Sequence, residues 1–134
     1  MASLYEQYQQ LTPQEQAYLR NNPHHAMILK DAREAAFAET LRRFRRNGHN
    51  DQSDAFRHCF WSAMLARDIG YSDAKRFTSA HESSPKNRLD EKRMDLHNNQ
   101  VGLDIGRSKG SNAILSARCM SALRAGKLIV LVDK

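Results

Sequence analysis

An all-α single compact domain of about five to six helices, with a short β-like C-terminal tail, is the fold this sequence predicts. Three observations carry that expectation. Apolar residues recur at three- and four-residue spacing along most of the 134 residues. Helix start and stop residues bracket those stretches, among them Thr12-Pro13, Asp51, Gly70 and Gly126. Only "KLIVLV" near the C-terminus has β character, and no repeat, linker or low-complexity tract divides the chain.

The first start signal lies in "TPQEQAYLRNNP". Thr12 suits the N-cap, Pro13 the N1 position and Glu15 the N3 position of a capping box, and Asn-Asn-Pro stops the helix. A second helix runs from about Pro23 to Arg46, with Ala26, Leu29, Ala36, Phe37, Leu41 and Phe44 on one stripe. Its end, "RRFRR", sets cations against the negative end of the helix dipole, and Gly48 terminates it. Asp51 caps the central helix "SDAFRHCFWSAMLARDIG", which closes at Gly70, and Ser72 caps a shorter one, "DAKRFTSAHE". A polar loop with Pro85 leads to a helix from about Leu89 to Ile105; after the loop "RSKGSN", "AILSARCMSALRAG" is helical with Gly126 at C′. The tail "KLIVLV" is either a lone strand or an apolar segment docking on the core.

Composition bounds the class. With 40% hydrophobic and 27% charged residues, a chain of this length buries a core without staples. No run approaches the roughly 18 apolar residues of a membrane span. "MASLYEQYQQ" lacks a basic region followed by an apolar run, so no signal peptide is visible. Cys59 and Cys119 sit in apolar helical patterns and are expected as buried reduced thiols rather than a disulfide. The net charge of +6 suits a polyanionic partner: nucleic acid, anionic lipid headgroups or an acidic inhibitor protein.

Three segments carry candidate chemistry. In the central helix Asp54, His58 and Trp61 fall at i, i+4 and i+7, one face, with Arg57 beside them. In "AHE", His81 lies on the stripe Ala74–Phe77–Thr78–His81 and is expected to face the core, where an imidazole needs a hydrogen-bond partner; Glu82, one step round, is either a surface acid or part of the site. In "MDLHNNQVGLDIG", Met94, Asn98, Val101 and Ile105 form the expected buried stripe, and Asp95, Asn99 and Gly102 the adjacent line. Paired asparagines are poor helix formers, and Gly102 costs about 1 kcal/mol against alanine, so this run suits amides that hold a side chain or substrate and a glycine that admits close backbone approach. His97 lies off that line, "HESSP" lacks the second histidine of a zinc-protease helix, and no G-x-S-x-G elbow surrounds Ser53, Ser62 or Ser79.

At these residues the chain resembles an uncharacterised all-α toxin domain found at the C-terminal tips of RHS-type and related polymorphic bacterial toxins. "DAFRHCFWSAMLARDIG", "AHE" and "MDLHNNQVGLDIG", in that order and with the terminal "CMSALRAGKLIVL", carry the resemblance over about residues 20 to 131. It implies an antibacterial toxin module, delivered from the producing bacterium into a target cell and paired with a cognate immunity protein; no reaction comes with it. A purely chemical analogy is to all-α metal-dependent phosphohydrolases of the HD type, here as His58, His81–Glu82 and Asp95, although Glu replaces the paired Asp and the last interval is short.

The leading expectation is a toxin hydrolase that cleaves a phosphodiester bond, nucleic acid being the first substrate to test because "RRFRR" and "KRMD" offer a basic rim. His58 and His81 would be the acid–base pair, with Asp54 or Glu82 orienting an imidazole and Arg57 neutralising a phosphoryl oxygen. Asn98 and Asn99 would position substrate or water, and Asp95 would be a base; a divalent metal, if one is used, would fall to His58, His81 and Asp95. The alternatives are an envelope-acting phospholipase or cell-wall-precursor hydrolase, and a non-enzymatic binding or membrane-active toxin.

Overall fold

Helix starts are realised where a side chain can reach the first free N–H groups. The computed structural model describes residues 4–85 and 88–132, residues 4–6 by their backbone alone. Among them the elements are α1 (Leu4–Gln9), α2 (Pro13–Asn21), a 3-10 turn (Pro23–His25), α3 (Ala26–Phe44), α4 (Gln52–Ile69), α5 (Tyr71–His81), α6 (Leu89–Gly106) and α7 (Asn112–Arg124). The fold is all-α, and α1 is the element that no start signal announced.

The Thr12 capping box forms in full: the Thr12 hydroxyl accepts from the Glu15 N–H and the Glu15 carboxylate from the Thr12 N–H. Asp51 likewise caps α4, accepting from the Asp54 N–H. Two expected boundaries move. α3 ends at Phe44 because Arg45 takes the left-handed conformation (φ 64°) and donates its N–H to Leu41. Gly48 serves instead as a seat for the cap of α4: a Cβ there would lie 2.0 Å from Asp51 Oδ2. α5 begins at Tyr71, so Ser72 is inside the helix and caps nothing; Gly70, at φ 91°, turns the chain between α4 and α5 without a loop.

α4 is the axle of the molecule, and α3, α5, α6 and α7 all pack against it. Phe56, Phe60, Met64 and Leu65 from α4 meet Met94 and Leu103 from α6 and Leu115 from α7 in the core. α6 comes closest. A Cβ on Gly102 would stand 2.1 Å from the Cys59 carbonyl oxygen, and one on Gly106 2.2 Å from that of Ala63, so both positions require glycine. This proximity accounts for the propensity cost of Gly102. Cys59 and Cys119 are buried free thiols with their sulfurs 3.1 Å apart.

The tail docks; it forms no strand among the described residues. Gly126 (φ 74°) and Lys127 donate back to Leu123 and Ala122, closing α7. Leu128 then enters the core, and the N–H groups of Leu131 and Val132 both reach the Asn50 carbonyl.

Candidate active site

The close approach of α4 and α6 sets the N-terminal half of α4 against Asp95 and Asn99. Asp54 is buried one turn into α4 and bonds in three directions. Its Oδ2 accepts from the Asn50 N–H at 2.7 Å, and its Oδ1 faces Arg57 at 2.7 Å and His58 Nδ1 at 3.0 Å. The carboxylate therefore braces the helix start and also fixes the His58 ring. With Nδ1 held, Nε2 of His58 faces the other two helices, 3.6 Å from both Glu82 Oε2 and Asp95 Oδ1.

His81 departs from the sequence expectation, and Glu82, left open there, joins the site. His81 was expected to face the core, yet its side chain is 44% exposed, while Glu82 is 2% exposed. The cause is the end of α5: it closes at His81, and Glu82 is its C-cap, off the helical path. The Glu82 carboxylate accepts from Asn99 Nδ2 at 3.3 Å, and Asn99 Oδ1 accepts from the Ser62 hydroxyl at 3.1 Å. Asn99 thus positions Glu82. His81 Nδ1 in turn lies 2.8 Å from Glu15 Oε2, so a capping-box acid orients the second imidazole. Sequence reasoning missed that role of Glu15, which has two oxygens: one satisfies Thr12 and the other, by tertiary packing alone, meets α5.

One ring nitrogen each from His58 and His81 and one oxygen of Glu82 fall within 4.8 Å of one another, as do single donors of Asp54, His58 and Asp95. Trp61 walls the cluster, its ring centroid 5.1 Å from that of His81. The Asp95 Oδ1 is buried and has no hydrogen-bond partner. Asn98 does not join the site. Its Oδ1 accepts from the Ile129 N–H at 2.8 Å and its Nδ2 donates to the Ile129 carbonyl at 2.9 Å, so both ends of the amide clamp the tail. Arg57 donates to Asp54, Gly48 and Asn47 and lies over the Phe37 ring, at the edge of the cluster.

Burial and charge act against each other here. Burial disfavours the charged form of His58, but the Asp54 hydrogen bond and the Asp95, Asp54 and Glu82 carboxylates prevail and raise its pKa to about 9. For His81 burial is likewise outweighed, chiefly by Glu15, and its pKa rises. Burial raises Asp54, but the His58 hydrogen bond and charge outweigh it and leave it below the usual carboxylate range. Asp95 is pushed up to about 6, first by burial, with His58 opposing and Glu82 reinforcing.

A cleft of about 660 Å³ opens beside the cluster, between α1, α2, α3, α4 and α5. Leu11, Leu19, Leu29, Phe37 and Phe77 make its walls, and His58, His81 and Glu15 reach it from the cluster. Four cations line it: Arg20 donates to Tyr8 and Arg33 lies over Phe37, while Lys30 pairs with Glu34 and Arg57 with Asp54. Of the expected basic rim, Arg42 and Arg43 pair with Glu39 and Arg46 with Asp51, which takes up part of its charge.

Fold and site define a class: an all-α domain whose paired imidazoles, each tied to a carboxylate, meet two further carboxylates, buried Glu82 and half-buried Asp95, beside an apolar cleft. Residues 16–127 match the model of a family described as a domain of unknown function, DUF6973, and the chain belongs to that family. The matched span holds every residue of the cluster except Glu15. No curated protein and no solved structure matches the chain.

Proposed function

We propose that this domain is a delivered antibacterial toxin module that hydrolyses a phosphodiester bond at the His58–His81–Glu82–Asp95 centre, and that its substrate is an amphipathic phosphodiester of the cell envelope. The observation that carries the reading is the cleft: the two imidazoles reach a wall that is largely aliphatic and aromatic yet bears four cationic side chains. A hydrocarbon chain gains about 0.8 kcal/mol per CH₂ buried on such a wall, while the cations attract the phosphate. A nucleic-acid groove uses cations along a strand and flat stacking faces; Phe37, Trp61 and Phe77 offer such faces, but Leu11, Leu19 and Leu29 on the same wall suit a hydrocarbon chain. No helix among the described residues is long and apolar enough to cross a membrane, so the substrate would be met from the water side.

The chemistry needs a base, an acid and a way to hold charge. As the oxygen of water bonds to phosphorus, its proton passes to a carboxylate of the Glu82–Asp95 pair. As the phosphorus–oxygen bond to the alcohol breaks, the leaving oxygen takes a proton from an imidazolium. His81, half-exposed and held at Nδ1 by Glu15, is placed to give that proton from Nε2, and Arg57 adds positive charge at the cleft edge. The toxin role and the cognate immunity protein rest on the sequence resemblance; an acidic inhibitor covering the cleft would fit its cations.

The test offers purified domain phosphatidylglycerol vesicles and, separately, DNA and RNA, and expresses the domain with and without an export signal. Headgroup release from vesicles, intact nucleic acid and toxicity only after export are expected. His58→Ala should lower turnover at least 10²-fold with an unchanged circular dichroism spectrum. Cleavage of nucleic acid with intact lipid would overturn the amphiphile; no turnover of any of these substrates, with no toxicity, would overturn the hydrolase.

A further inference from the structure

We infer that His58, His81 and Glu82, with Asp95 as a further donor against His58, form a binding site for a divalent transition-metal ion, Zn²⁺ by donor type. The spacing is the first reason. His58 Nε2 stands 3.6 Å from Glu82 Oε2 and from Asp95 Oδ1. That is beyond a good N–H···O hydrogen bond and near the edge of a tetrahedron with metal–ligand bonds of ~2.0–2.1 Å, about 3.3 Å. One nitrogen of His81, one of His58 and one oxygen of Glu82 lie within 4.8 Å of one another, and Asp95 falls in a second such group with His58 and Asp54.

The outer contacts are the second reason. A metal-binding imidazole characteristically gives its other ring N–H to a carboxylate, which fixes the ring. Both histidines are built this way, His58 on Asp54 and His81 on Glu15. Glu82 is aimed by the Ser62–Asn99 relay. The third reason is the Asp95 Oδ1, buried and without a partner, on the side that faces His58. Four carboxylates thus surround two imidazoles, an arrangement that a dication neutralises better than protons do. Two nitrogens with two oxygens suit zinc rather than magnesium, which prefers six oxygens.

This ion deepens the proposed hydrolytic centre and rests on that reading only for its purpose: with it bound, His58 and His81 would be its ligands rather than proton donors, the ion would hold the phosphoryl oxygen or the attacking water, and the leaving oxygen would take its proton from solvent in the cleft. Its test is therefore read without substrate. Chelator-treated full-length domain is titrated with Zn²⁺ in a calorimeter. One ion per chain, binding at micromolar concentration or tighter, and a rise of several degrees in Tm are expected, with no comparable effect of Mg²⁺. Asp95→Asn and Glu82→Gln should each weaken binding at least tenfold, whereas His24→Ala, which removes an exposed imidazole packed on the buried His25, should not. Heat of binding only at millimolar zinc, or full affinity in both carboxylate variants, would overturn the site. If those variants fail to fold, Co²⁺ on the unaltered chain decides: intense visible absorption is expected of a four-coordinate site, and the weak absorption of a six-coordinate ion overturns it. A chain that binds zinc yet cleaves nothing keeps the ion and loses the function; one that cleaves after exhaustive chelation does the reverse.

Discussion

The two sides of α4 are packed by opposite rules. Toward α6, Cys59 and Ala63 meet Gly102 and Gly106 with backbone almost touching backbone, and the neighbours are Phe56, Phe60 and Met64. Toward the end of α5, the same helix offers Asp54 and His58 to buried carboxylates whose hydrogen bonding is incomplete. The first side is determined by shape. The second keeps charged groups out of water, which costs stability unless they are paired. Yet the shape-determined side is what brings Asp95 and Asn99 to the charged one. Close packing of α4 on α6 is the means by which the site is assembled.

Changes on the packed side should accordingly be the most damaging to the fold. Gly102→Ala is expected to cost about 3–5 kcal/mol, the range of severe core lesions, since its Cβ would meet a backbone oxygen at 2.1 Å; urea denaturation measures it. A cost below about 1 kcal/mol would show that the helices separate easily and that the contact does not assemble the site.

Asn98→Ala should be milder and sharpens the comparison from α6. It breaks both bonds to Ile129, leaving that backbone pair unsatisfied, at about 1–3 kcal/mol. Because the amide clamps the tail and does not reach the cluster, zinc affinity and turnover should stay at wild-type values; a tenfold fall in either would return Asn98 to the site.

The smallest effect is far from both sides. The Arg42 hydrogen bond, with Ser116 and Arg43 and against burial, holds Glu39 at about 2, below its usual 4.5. A carboxylate with a depressed folded-state pKa stabilises the fold above the unfolded pKa, and that contribution is lost as pH falls through the folded one. Glu39→Gln should thus cost about 1 kcal/mol at pH 7, with the gap to wild type closing between pH 4.5 and about 2 in thermal melts. A gap that stays constant with pH would contradict the pairing.

How much of this was legible in the sequence follows the same division. Local chemistry read well: the Thr12 box and the Asp51 cap are dictated within a few residues, and the propensity cost of Gly102 signalled a close approach whose partner, Cys59, lies on another helix. The convergence of Asp54, His58 and Asp95 was also legible, because helical spacing puts each on a definite face. What failed depended on distant partners or on the last residue of a helix. Asn98 was placed in the site because its partner, Ile129, lies in a tail with no helical pattern. His81 was expected in the core and Glu82 left open between surface and site, because α5 ends between them and a shift of one residue at a helix end changes which side chain turns inward. Glu15 was read as a cap, which it is, while its second oxygen had no sequence signature. "RRFRR" was read as a surface rim, yet Glu39 and Asp51 take up much of its charge.

The central claim is that His58 and His81 act as parts of one centre, and a double-mutant cycle on turnover tests it most directly. Groups that work as a unit are non-additive: once one is gone, removing the other costs little more. His58→Ala, His81→Ala and the double variant, all folded by circular dichroism, should lose activity to nearly the same extent. Losses that multiply in the double variant, or full activity in either single one, would show two unrelated histidines on neighbouring helices.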